Sequence, residues 1–62
     1  MIDIKATIEN NGLSQYRVAK IIGRKPVQVW RWYHGIRGVS PAVEKEIIPL
    51  LEAEDITVYE KD

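Results

Sequence analysis

Apolar positions recur along this chain at helical spacing, and caps and breakers divide them into short segments. Ile4 and Ile8, four apart, share one face, and Asp3 ahead of them is a residue type that caps a helix N-terminus. The pattern predicts a first helix from Ile4 to about Asn10. Asn10-Asn11-Gly12 ends it, because Asn and Gly tolerate the left-handed conformation of a helix C-terminus. Ser14 then caps a helix from Gln15 to Ile22, in which Val18, Ala19 and Ile22 form an apolar stripe and Tyr16, Arg17 and Lys20 point outward. Gly23 stops it. Pro26 suits the first position of a third helix, with Lys25 as N-cap, running to about Tyr33 and ending at His34-Gly35. Ser40-Pro41 repeats the cap-plus-proline start for a fourth helix that turns Val43 and Ile47 inward. The ring of Pro49 would meet the carbonyl of Lys45, which predicts a break or kink near Ile48 and then a short helical turn through Glu54. Ile56-Thr57-Val58-Tyr59 alternates and is β-branched or aromatic, so it reads as one strand, paired with Met1-Ile2 or with a second subunit.

These elements describe a mostly α fold of four to five short helices plus a C-terminal β-strand, forming one domain over residues 1–62. A length of 62 residues leaves room for a single small core, and 45% hydrophobic content is that of a folded chain. There is no cysteine and one histidine, so no disulfide, metal site or cofactor is expected, and the expected location is cytoplasmic. No apolar run approaches the ~20 residues of a membrane span. So small a fold has little wall for a water-excluding pocket, and an enzyme is not expected. Ser14 and Ser40 read as caps, since no acid–histidine pair is present to activate either as a nucleophile. Glu52-Ala53-Glu54-Asp55 lacks the alternating ligands and glycine of a calcium loop and reads as a solvated face.

The formal net charge of zero conceals a strong asymmetry. Between Asn10 and Val43 stand six cations, Arg17, Lys20, Arg24, Lys25, Arg31 and Arg37, and no carboxylate. From Glu44 to Asp62, seven carboxylates face Lys45 and Lys61, a local charge of −5. That division points to a basic face for a polyanion. Within the basic half, two short helices meet through Gly23-Arg24-Lys25, the layout of a helix-turn-helix. Val29 and Trp32 fix the buried direction of the third helix, against Val18 and Ile22. At 3.6 residues per turn, Val27, Trp30 and Arg31 then fall on the opposite face, with Gln28 and Tyr33 on the flanks. Set against a DNA major groove, Arg31 can donate two hydrogen bonds to guanine, Val27 can touch a thymine methyl, and Lys25 stands at the helix start. Trp32 belongs to the core, Trp30 to a contact with DNA or a partner, and His34 to a capping role at the helix C-terminus. Lys20, Arg24 and Arg37, with the amides near Gly38 at the start of the fourth helix, are the candidates to meet phosphates.

Gln15, Ala19, Gly23, Val29 and Trp32, at these spacings, resemble the helix-turn-helix of the lambda-repressor-like superfamily, especially small phage Cro repressors. The tract Trp30 to Glu46, with Gly-Val-Ser-Pro before the fourth helix, is similar to the short Cro/YdaS-like prophage regulators. The resemblance spans roughly Leu13 to Ile47. It implies a transcriptional repressor that docks on double-stranded operator DNA, usually as a dimer. Its base readers would fall on Lys25, Pro26, Val27 and Arg31, with Trp30 beside them. Its phosphate contacts would fall on Gln15 and on the Arg37–Ser40 loop. Arg24 stands where the family has an apolar residue, and Pro26 replaces a polar reader. The tail would match the Cro-type strand that pairs between subunits, burying Ile56 and Val58 in a weak homodimer completed on a two-fold operator. Two other classes stay open: a protein-interaction module such as an antitoxin or antirepressor, using Val27 and Trp30, and a single-strand or RNA binder that stacks bases on Trp30 and Tyr33.

Overall fold

The computed structural model describes residues 1–61, so Asp62, the last residue of the expected domain, lies outside the described residues. Four helices follow in order: α1 (Ile4–Asn10), α2 (Gln15–Ile22), α3 (Pro26–Tyr33) and α4 (Pro41–Glu52). Three of their starts are fixed by side chains three residues upstream. An Asp3 carboxylate oxygen accepts from the Ala6 amide at 3.0 Å, and the Ser14 and Ser40 hydroxyls accept from Arg17 and Val43 at 3.0 and 3.3 Å. Lys25 occupies the N-cap of α3 without a side-chain bond, and Pro26 supplies the preset φ of a first turn.

All four helices end by one device. The amides of Leu13, Arg24, Ile36 and Ile56 donate five residues back, to the carbonyls of Ile8, Ala19, Arg31 and Leu51. The residue before each of them is left-handed: Gly12, Gly23, Gly35 and, at φ 59°, Asp55. Such closures satisfy carbonyls that the helix itself leaves without donors. At Gly23 this turns the chain directly from α2 into α3.

The expected break near Ile48 does not occur, and α4 is continuous through Pro49 to Glu52. A proline inside a helix costs about 3 kcal/mol relative to alanine. Ile47 and Leu51, on either side of it, are both fully buried, and each such side chain returns about 1.5–3 kcal/mol. Lys45 and Pro49 lie on the exposed side, where water can serve the Lys45 carbonyl that proline leaves without a donor. Residues 53–55 form a turn with no further helix.

The tail also departs from expectation: among the described residues the sheet amounts to an isolated antiparallel bridge, Ile2 with Glu60. Side chains of α1 and its C-cap residue supply most of the partners that a neighbouring strand would give. The Asn11 carboxamide donates to the Thr57 carbonyl (2.8 Å) and accepts from its amide (3.1 Å), while the Thr7 hydroxyl accepts from the Tyr59 amide (3.0 Å). Further on, the Asp3 amide donates to the Tyr59 carbonyl and the Lys61 amide to the Met1 carbonyl, so residues 1–3 are the chain's own partner for the end of its tail.

The core gathers Ile4 and Ile8 from α1, Val18, Ala19 and Ile22 from α2, Val29 and Trp32 from α3, and Ile47 and Leu51 from α4. Ile2, Val39 and Ile56 close it from the connecting segments. Thr7 is buried with them, and its hydroxyl is satisfied as donor to the Asp3 carbonyl and acceptor from Tyr59. The Cα radius of gyration, 10.1 Å, is close to the roughly 10.6 Å expected of a compact chain this long. Among the described residues no helix is long and apolar enough to cross a membrane.

Candidate nucleic-acid interface

α3 is held from two sides, by α2 through the Gly23 turn and by α1. Val29 is fully buried and Trp32 nearly so, which fixes the rotation of the helix about its axis. The Tyr33 hydroxyl donates to the Glu9 carboxylate at 3.0 Å, tying the end of α3 to α1. That bond, then burial, then the Glu9 charge, raise the Tyr33 pKa above its usual 10.0.

With α3 so fixed, its outer face presents Val27 (49% exposed), Trp30 (45% exposed), Arg31 and His34. Beside that face runs an open groove of about 410 Å³ lined by Lys25, Val27, Gln28, Arg31, Trp32 and Arg37. The chain thus brings Lys25, Val27 and Arg31 of the expected base-reading set together with Arg37 of the expected phosphate set. Gln28, placed on a flank by the helical wheel, joins them. The signal for it was present: it stands three residues from Arg31 and four from Trp32, spacings that stack side chains on one helical side.

The other expected residues sit elsewhere. Trp30 packs its ring on His34, centroids 4.6 Å apart, outside the groove. Pro26, Lys20 and Arg24 line a separate cleft with Tyr16, between α2 and the start of α3. Arg24 is paired with the Glu46 carboxylate of α4, so the cation at the turn is answered by a carboxylate on the helix behind it. Gly38 lies against a small cavity shared with Arg37 and Val39, while the Ser40 hydroxyl is committed to capping α4. Gln15 is half-buried at the first position of α2. His34 is the C-cap residue of α3, and its ring rests between Trp30 and Tyr33. Tyr33 is occupied by Glu9 and has the Lys5 ammonium 5.8 Å above its ring, which leaves it poorly disposed to stack a base. Ile56 is buried in the chain's own core and Val58 packs against it, so both find cover without a second copy.

Chemically, the groove joins two planar bidentate donors (Arg31 and Arg37), one ammonium (Lys25), one carboxamide (Gln28), one branched apolar side chain (Val27) and Trp32, with no carboxylate on its walls among the described residues. No protein-family model matches the chain, and neither a curated protein nor a solved structure is found to be similar to it.

Proposed function

We propose that this chain is a sequence-specific double-stranded DNA-binding regulator of the Cro-like repressor type, with α2, the Gly23 turn and α3 acting as a helix-turn-helix in a lambda-repressor-like fold. The observation that supports it best is the groove beside α3: among the described residues Lys25, Arg31 and Arg37 converge there without a carboxylate, next to a Val27 that is half exposed. A polyanion lowers the mutual repulsion of three such cations, and an exposed helix face bearing arginine and valine matches the donor, acceptor and methyl pattern of a major groove.

On this reading, contacts divide by chemistry. Lys25 and Arg37 meet phosphates and set the register, with the Gln15 end of α2 beside them. Arg31 reads guanine, worth about 1–3 kcal/mol of discrimination per bidentate pair, and Val27 covers a thymine methyl. Gln28 is a second polar reader. A weak homodimer forms on a two-fold site. Because Ile56 is committed to the core, the second copy meets the outer backbone edge of the tail around Val58. The setting is the cytoplasm of a cell or of an infected host.

A protein partner is the second reading, favoured by the exposure of Trp30 together with Val27. Selection of bound duplexes from a random DNA pool separates the two. The DNA reading expects enrichment of a two-fold site with guanine at one pair in each half. Arg31→Ala should flatten preference at that pair while leaving non-specific binding largely intact. A pool that emerges unenriched would overturn the proposal.

A further inference from the structure

A second cationic groove, of about 360 Å³, lies at the C-terminal end of α3, between it and the start of α1. Lys5, His34 and Lys61 line it. Nothing in the sequence pattern marks Lys61, which stands in the acidic tail. The fold sets it beside α3: its amide donates to the Met1 carbonyl at 2.9 Å, next to the Ile2–Glu60 bridge, and it lines the groove with Trp32, Tyr33 and His34. Lys5 is carried there by α1 and lies over the Tyr33 ring.

The two grooves share walls with a third, smaller cavity. That cavity is lined by both Arg37 and Lys61, and Trp32 contributes to all three. Cations therefore follow one another from Lys25 and Arg31 through Arg37 to Lys61 and Lys5. Among the described residues one carboxylate, Asp3, lines the second groove, and it is engaged in capping α1, where the helix dipole offsets its charge.

We propose that this second groove holds the sugar-phosphate backbone of the same duplex, just outside the base pairs that α3 reads. The inference rests on the proposed DNA reading and adds to it a site, two residues and a longer footprint. A flexible ammonium suits such a role, because it meets phosphates as a point charge and carries no sequence information.

The test compares wild type with a Lys5→Gln, Lys61→Gln double variant on two duplexes, one ending at the selected half-sites and one extended by half a helical turn at each end. With about 0.9 lost from the log–log salt slope per phosphate, two phosphates at each of the two half-sites make the double variant's slope on the extended duplex shallower by about 3.6. Wild type should gain affinity from the extension and the variant should not, while both select the same sequence. A Lys5→Arg, Lys61→Arg variant should keep the wild-type slope, which separates lost charge from disturbed packing. If the glutamine variant keeps the wild-type slope and extension gain while Arg31→Ala still relaxes specificity, the second groove is not a backbone site although the α3 reading stands. If wild type binds no duplex, both fail together.

Discussion

Replacing Asn11 by alanine should unfasten the tail from α1 and cost about 1.5–3 kcal/mol. The Asn11 side chain makes three hydrogen bonds: its amide nitrogen donates to the carbonyls of Thr7 (2.7 Å) and Thr57 (2.8 Å), and its oxygen accepts from the Thr57 amide (3.1 Å). Each is worth about 0.5–1.5 kcal/mol net, and the solvent-exposed position of Thr57 favours the lower part of that range. Against a total stability of about 3–9 kcal/mol for a chain of this length, the loss is large. Chemical denaturation would give its size, and amide hydrogen exchange would locate it. The Thr57 and Tyr59 amides should lose protection, whereas Val29 and Leu51 should follow only the global change. Asn11→Asp should cost at least as much as alanine, since it keeps the acceptor for the Thr57 amide but turns an anionic oxygen toward two carbonyls at the C-terminal end of α1. A loss below about 0.5 kcal/mol, with the tail amides still protected, would show that packing of Ile56 alone holds the tail and that the side-chain ladder is incidental.

Other expectations follow from the same contacts. Pro49→Ala should stabilise the protein by about 1–2 kcal/mol in a denaturant melt, because restoring the amide opposite the Lys45 carbonyl outweighs the freedom gained by the unfolded chain. Tyr33 has a raised pKa in the fold, so its contribution is complete below the usual 10.0 and is lost as pH rises through the elevated value. Tyr33→Phe should remove that alkaline loss, as followed by thermal melts across a pH series. Deleting residues 56–62 removes Ile56 from the core, and half-site and full-site DNA binding should then fall together as the domain unfolds; half-site binding that survives the deletion would show that the fold does not need Ile56.

Features that act within a few residues were legible in the sequence. Asp3, Ser14 and Ser40 bond three residues ahead, and Gly23 closes its helix within five, so residue type and spacing suffice to place them. The helical period likewise put Val29 and Trp32 inward and Val27 and Arg31 outward. What escaped depends on distant partners. The tail looked like a strand, but its bonds run to Asn11 and Thr7, 46 and 52 residues away, and these are side chains that no strand pattern announces. The charge of Arg24 is answered by Glu46, 22 residues on. Pro49 was read by its local cost, whereas the burial of Ile47 and Leu51 decided the outcome. Lys61 joined the cations only through the register of one bridge beside Met1.

The central claim, that the cations around α3 are a binding surface for duplex DNA, is tested most directly by duplex affinity measured across salt concentration. With two copies on a two-fold site, Lys25 and Arg37 on phosphates give a log–log slope of about −3.6, and the second groove brings it to about −7. A slope in that range is expected, with duplex preferred over single strand of the same sequence. Association that ignores salt, or that favours the single strand, would contradict it.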